Sequence, residues 1–463
     1  MKEDINILKP FSFDKFIKKP NDENLSKEQT FFLKNEVESR IQIDGVYFSG
    51  NLASVYFKSI TNFSPESFRE ICRIHKTIWN QRKVPFLYVT SPTELRVYNC
   101  FKEPVNPDTE LDKLNELEIE KYSVTDTEED LQRLVTVIGK AAIDSGEVWK
   151  NAEFANQFNI SSRVDKKLIQ NLKATKTELE KRNIPINIIH DLLTRSLFIL
   201  YLEDIKATDE RYYQGFKTNS SSYFHILEDT NATYKLFKAF EEKFNGDLFS
   251  VSDIESKRVN KEELRIIASC FWGNEVETGQ QTLWKIFDFS VIPIELLSEI
   301  YEIFLNKTDE EKSNSGEYYT PHSLVDLILN ESLPWANHEN TTYNLTILDL
   351  ACGSGIFLVE SYRRLVDRWV FVNKRNPQFK ELEEILVSSI FGFEVNSSSI
   401  KVAAFSLYLA LISYLDPKTI WQQKSTRFPN LIFDPKGKDK NRQGKNLFLQ
   451  SSLSNSVPHQ PKI

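Results

Sequence analysis

The feature that most constrains this chain is the run Leu345-Thr346-Ile347-Leu348-Asp349-Leu350, followed at once by Ala351-Cys352-Gly353-Ser354-Gly355. A short β-rich segment that breaks into glycines and resumes as a helix from Phe357 opens a parallel βαβ unit. Glycine supplies the permissive dihedrals such a turn needs, and a ligand can lie against backbone N–H groups only where no Cβ intrudes. Ile390-Phe391-Gly392-Phe393-Glu394 supplies a second strand, and Asn396 is suited to cap the helix running on through Ala403, Leu407 and Leu411. The C-terminal third therefore reads as α/β. Its glycine spacing is neither Gly-x-Gly-x-x-Gly nor a lysine-bearing phosphate loop, so dinucleotide and triphosphate sites fit poorly.

Upstream the pattern changes twice. Between Gly45 and Cys100 it predicts strands at Val46–Phe48 and Ser54–Lys58, a helix from Pro65 to Trp79, and a hairpin of Val84–Val89 with Leu95–Tyr98 around Pro92. From about Glu128 to Phe304 the apolar spacing is helical, as in Leu131, Leu134, Val135 and Ile138, then Leu192, Leu193, Leu197 and Leu200. Three domains are expected: a small α/β domain over 1–125, a helical connector over 126–305, and a second α/β domain over 306–463. A length of 463 residues agrees with that number.

Other classes are disfavoured. Cys72, Cys100, Cys270 and Cys352 are far apart with no Cys-x-x-Cys pair, and the six histidines form no ligand pair, so no metal site is expected. No run of about 18 uncharged apolar residues occurs, and the N-terminus lacks an apolar signal core, so a cytoplasmic protein without membrane spans is expected. The net charge of −8 leaves any nucleic-acid role to local basic segments, such as the tail from Lys424 to Lys445.

Asp349 to Leu358 resembles motif I of the adenine-N6 and cytosine-N4 DNA methyltransferases, Asp-Pro-Ala-Cys-Gly-Ser-Gly-x-Phe-Leu, with Leu350 as the departure. Gly316-Glu317-Tyr318-Tyr319-Thr320-Pro321 resembles their motif X, and Phe391–Asn396 their motif II. Trp79–Leu87, Phe244–Phe249 and Phe289–Glu295 are similar to the N-terminal and helical regions of large Eco57I-like methylases of type IIG restriction-modification and phage-defence systems. The resemblance implies a class I, Rossmann-like S-adenosylmethionine (SAM) domain. It also implies site-specific adenine-N6 methylation, double-stranded DNA as partner, and SAM contacts from Tyr318, Tyr319, Thr320, Pro321, Asp349, Ala351, Cys352, Gly353, Ser354, Gly355, Phe357, Glu394 and Asn396. Glu394 would accept from the ribose hydroxyls, and a branched residue at Gly355 would block the methionine path.

The family's catalytic motif, Asn/Asp/Ser-Pro-Pro-aromatic, holds the target amine and stacks on the flipped base. No such string occurs here: Asn376-Pro377-Gln378-Phe379 falls between motifs I and II, and Asp434-Pro435-Lys436 lacks the second proline and the aromatic. Asn446–Ser452 resembles the third strand without the acid expected near its end. A domain incomplete before motif IV, inactive alone, is therefore expected, completed by a C-terminal half or specificity subunit. The alternative is a noncatalytic SAM-binding or assembly subunit. In related enzymes the N-terminal domain is a PD-(D/E)xK nuclease. Here Asp44 is followed by Tyr56-Phe57-Lys58, with Tyr at the acidic post, so a degenerate, noncatalytic version is expected.

Overall fold

The computed structural model describes residues 6–38, 40–150, 157–158, 162–244, 249–276, 279, 281–282, 284–305, 320–417, 420, 427–436 and 444–454. The chain divides into two compact units, Met1–Leu168 with Gln281–Ile292, and Ile169–Gln280 with Pro293–Ile463.

The first unit is built on a five-stranded sheet: β1 (Gly45–Ser49), β2 (Leu52–Ser59), β3 (Phe86–Thr90), β4 (Glu94–Asn99) and β5 (Glu118–Ser123), in that spatial order. β1 and β2 form a hairpin, while β2 and β3 run parallel and so need a crossover, supplied by helix α1 (Pro65–Gln81). Ser64 caps α1 by accepting the Ser67 N–H, Pro65 occupies its first turn, and Arg82 closes it in the left-handed region at φ 58°. Because strand side chains alternate, the sheet buries two faces. Val46, Tyr56, Leu87 and Tyr98 join Ile71, Cys72 and Ile78 of α1 in one core. Tyr47, Phe57, Tyr88 and Val97 join Phe11, Phe13 and the start of the helical region, Leu134 and Ile138 of α2 (Glu128–Ile138), in the other.

The second unit holds a four-stranded sheet of β6 (Ile347–Asp349), β7 (Ile390–Glu394), β8 (Ile432–Phe433) and β9 (Leu447–Leu449), in the order β6-β7-β9-β8 with every pairing parallel. Helices α3 (Val164–Lys181, which begins in the first unit), α4 (Ile186–Asp204), α5 (Thr230–Lys243), α6 (Lys261–Trp272) and α7 (Ile294–Leu305) precede it. They are followed by α8 (His322–Ser332), α9 (Ile356–Asn373), α10 (Phe379–Ser389) and α11 (Ser397–Ile412). From Val402 to Ile412 every residue of α11 is buried, as expected of a helix that is apolar all round and surrounded by partners. Phe198 of α4 meets Phe405 of α11 edge-on at 5.8 Å.

The units divide the helical stretch that sequence periodicity treats as one connector. Residues 126–168 and 281–292 sit with the first sheet, and 169–280 with the second. Helical spacing reports that a face is buried and is silent on which core buries it. No helix among the described residues is long and apolar enough to cross a membrane.

Candidate functional site

Strands β6 and β7 end in the carboxylates Asp349 and Glu394. Their parallel register sets Asp349 opposite Gly392, and β7 carries Glu394 opposite Leu449 of β9. Both acids thus stand at the carboxyl ends of neighbouring strands, the edge where open α/β sheets leave a ligand crevice. Asp349 is half-buried, and burial raises its carboxyl above the usual range against the opposing hydrogen bond from the Ala351 N–H at 3.0 Å.

Between β6 and α9 the chain turns through Gly353 (φ 52°) and Gly355 (φ 85°), a region that costs an L side chain about 1–2 kcal/mol. Four backbone donors fix the turn: Ala351 to Asp349, Cys352 to the Phe393 carbonyl at 2.9 Å, Gly355 to the Cys352 carbonyl at 2.8 Å, and Gly353 to Glu394 Oε2 at 2.9 Å. The other oxygen, Glu394 Oε1, accepts the N–H groups of Val395 and Asn396, both at 2.8 Å. An ionised carboxylate has about four acceptor positions. With three taken by backbone, roughly one remains for a ligand hydroxyl.

The two turn glycines are not equivalent. A Cβ on Gly355 would sit 2.9 Å from Ala403 Cβ and 3.0 Å from Ala403 Cα, inside the packing with α11, whereas a Cβ on Gly353 would meet nothing within 4 Å. Gly355 is therefore required by helix packing. Gly353 is the residue that leaves open space beside its backbone. Cys352 lies beneath β7, 5% exposed, where a Cβ on Gly392 would come within 2.9 Å of its Sγ. Its thiol is pushed up chiefly by burial, and its side chain is core. Ser354 is also buried, Phe357 half-buried and Ala351 exposed. Asn396 caps α11, accepting from the N–H groups of Ser398 and Ser399.

Thr320 and Pro321 lead into α8, while Tyr318 and Tyr319 lie outside the described residues. The first turn of α8 carries a charged cluster that the sequence pattern did not announce. His322 Nδ1 lies 3.1 Å from Asp326 Oδ2, and His322 Nε2 lies 3.5 Å from Glu360 Oε1 on α9. Arg363 bonds Glu360 at 2.6 Å and Glu295 at 3.3 Å, and Arg364 bonds Asp326 at 3.1 Å. The i, i+4 spacing of His322 and Asp326 was the available signal. The donor atoms of His322, Asp326 and Glu360 lie within 4.8 Å of one another. A metal would compete there with two guanidiniums and with a proton that the surrounding acids hold on His322, whose pKa is raised to about 10.

The string Asn376–Phe379 lines a cavity of about 620 Å³ with Tyr414 and Phe428, beyond the far end of α9. Asp434 Oδ1 accepts the Lys436 N–H at 2.8 Å, an ordinary turn. The basic tail falls largely outside the described residues. In the first unit, Tyr56 is fully buried with its hydroxyl donating to Gln81. Lys58 pairs with Glu70 at 2.7 Å, and Asp44 accepts the Ser59 N–H at 2.6 Å.

Residues 293–429 match the family model described as N-6 DNA Methylase. The type II restriction enzyme and methyltransferase RM.Eco57I of Escherichia coli is 23% identical over 70% of this chain and 34% of its own length. The methylase subunit of the type I restriction enzyme MjaVII of Methanocaldococcus jannaschii is 35% identical over 19% of this chain and 14% of its own. A solved structure of the type IIL restriction-modification enzyme MmeI in complex with DNA aligns over 57% of this chain and 38% of its own, with 18% identity and a TM-score of 0.36. The chain thus spans about a third of the length of its Eco57I relative.

Proposed function

We propose that the chain, whose residues 293–429 match the N-6 DNA Methylase family model, carries the SAM site of a site-specific adenine-N6 DNA methyltransferase. The observation that carries this reading is the meeting of Gly353 and Glu394. An open-sided glycine turn and a strand-end carboxylate are held together at the carboxyl edge of a parallel sheet. Such an edge offers open space beside the turn and a hydroxyl acceptor, which suits a ligand that carries a ribose.

In this reading Asp349, Gly353 and Glu394 line the site. Asp349 fixes the start of the turn through Ala351, Glu394 takes a ribose hydroxyl, and the side chains of Cys352, Ser354, Gly355 and Asn396 act by shaping the turn and the α11 cap. Thr320 and Pro321, with Tyr318 and Tyr319, flank the methionine end. Bound SAM supplies an activated methyl group. The chain's own residues hold and orient the donor, and positioning of this kind can supply about 7–11 kcal/mol of a barrier.

The amine-positioning loop is not found in this sequence, so the chain by itself is read as binding SAM without methylating DNA. The same observation favours a second reading, a noncatalytic SAM-binding subunit completed by another chain. The five-stranded unit is read as a noncatalytic nuclease relative, because Tyr56 is buried where a metal-binding acid would be needed. Double-stranded DNA is the proposed partner of the complete assembly, in the cytoplasm. The test is tritiated methyl transfer from SAM to mixed-sequence DNA, with and without a supplied fragment bearing an Asn-Pro-Pro-aromatic loop. The enzyme reading expects incorporation only with the fragment. Incorporation by the chain alone, abolished by Asp349→Ala, would overturn the assignment of the missing loop.

A further inference from the structure

We infer that His322 is a positioning residue of the cofactor site: bridged between Asp326 and Glu360, it ties the segment entering at Thr320-Pro321 to the helix that begins at the glycine turn. The inference rests on the SAM reading above for its functional consequence, and on the ion network for its geometry.

Pro321 is the N-cap residue of α8, so the path of Thr320 and Pro321 is set by how the first turn of α8 is anchored. That turn buries Val325 fully, and Leu329 is buried one turn on, while Leu324 at 45%, Leu327 at 62% and Ile328 at 44% stay exposed, so a narrow apolar seam holds the helix. Polar anchors add to it. His322 reaches Glu360, only 2% exposed and one turn beyond the start of α9 at Ile356. Arg364, fully buried, donates to Asp326, to Asn330 Oδ1 at 2.9 Å and to the Leu333 carbonyl at 3.1 Å. Arg363 joins Glu360 to Glu295 of α7.

Glu295 from α7, Asp326 from α8 and Glu360 from α9 face His322, Arg363 and Arg364. A neutral imidazole would leave Asp326 and Glu360 with one neighbouring cation fewer in a partly buried network, where loss of a countercharge is costly. Burial opposes protonation, yet the hydrogen bonds to Asp326 and Glu360 and the charge of Glu295 outweigh it, consistent with a pKa of about 10. His322 is thus held as a cation across the neutral range, and alkali removes its own tie to Glu360 while Arg364 keeps its bonds to Asp326 and Asn330.

The test is a titration of the full chain with S-adenosylhomocysteine, the demethylated cofactor, across pH 7 to 11, together with amide hydrogen exchange of the ligand-free protein. The wild-type dissociation constant should be flat up to about pH 9 and rise as the pH passes about 10. His322→Gln should weaken binding roughly tenfold at pH 7.5 and flatten the alkaline rise. His322→Arg, charged at every pH, should restore affinity and also flatten it. Exchange at residues 322–325 should rise in His322→Gln and return in His322→Arg. Folded His322→Gln with wild-type affinity, pH profile and exchange would overturn the inference. So would stoichiometric Zn²⁺ binding lost in that variant, which would make the cluster a metal site. If wild type binds no S-adenosylhomocysteine, the SAM reading fails, and the exchange arm alone still decides whether His322 anchors α8.

Discussion

Glu394 Oε2 accepts the backbone N–H of Gly353 at 2.9 Å, so the acid at the end of β7 holds the glycine turn after β6. One carboxylate therefore serves both the sheet's internal geometry and the proposed ribose contact. Glu394→Ala removes the acceptor for three backbone N–H groups as well as the ligand contact. It should cost about 1–3 kcal/mol of stability and abolish measurable SAM binding. Glu394→Gln keeps one acceptor oxygen but sets its NH2 against at least one of these N–H groups, so melting should fall between wild type and Glu394→Ala while affinity falls roughly tenfold. Equal melting temperatures for Ala, Gln and wild type would show that the turn does not depend on this side chain.

The two glycines of the turn should separate by readout. Gly355→Ala places a Cβ 2.9 Å from that of Ala403 at φ 85° and should destabilise by about 2–4 kcal/mol, left-handed strain adding to overpacking. Gly353→Ala meets no protein atom within 4 Å, and should lose only about 1–2 kcal/mol while weakening SAM binding through the methyl it adds to the open side. Chemical denaturation alongside calorimetric titration of both variants measures this. A stable Gly355→Ala that fails to bind SAM would reverse the assignment.

In the helical layer of the second unit, Arg195 and Glu255 form a two-pronged ion pair at 2.7 and 2.8 Å, almost wholly buried. Glu255→Ala leaves an uncompensated guanidinium and should lose about 3–5 kcal/mol. The double change Arg195→Met with Glu255→Leu should recover most of that. Denaturant midpoints of the single and double variants supply the check.

His75 in the first unit is fully buried, with Nε2 2.8 Å from the Asn99 carbonyl, and burial lowers its pKa to about 4. Its folded pKa lies below the unfolded value, so the unfolded chain takes up the proton first as pH falls. The resulting stability loss sets in below about 6.5 and grows until pH reaches about 4. Melting temperature followed from pH 7 to 4.5 should fall less steeply in His75→Gln than in wild type, and parallel slopes would exclude His75 as a cause.

The strands were legible where apolar alternation met turn residues. β1 to β4 lie close to the expected runs, and the second-unit strands carry Asp349 and Glu394 at their ends as the glycine turn implied. β5 escaped because Glu118-Ile119-Glu120-Lys121 alternates charge with a single apolar residue, the composition of a solvated edge strand. The different duties of Gly353 and Gly355 could not be read from the string, since φ values and the approach of Ala403 arise only from packing of α11 over the turn. The His322 network was hidden for a related reason. Its acids and arginines lie on three helices, and beyond the i, i+4 pair His322 and Asp326 nothing in local spacing announces which charges will be buried together.

The central claim, that Gly353 and Glu394 form a SAM site, is tested most directly by calorimetric titration of SAM into the purified chain. The account predicts one-to-one binding in the micromolar range or weaker, at least tenfold weaker in Gly353→Val and in Glu394→Gln, each shown to be folded by its melting transition. No heat from well-folded wild type, or heat that persists unchanged in both variants, would contradict it.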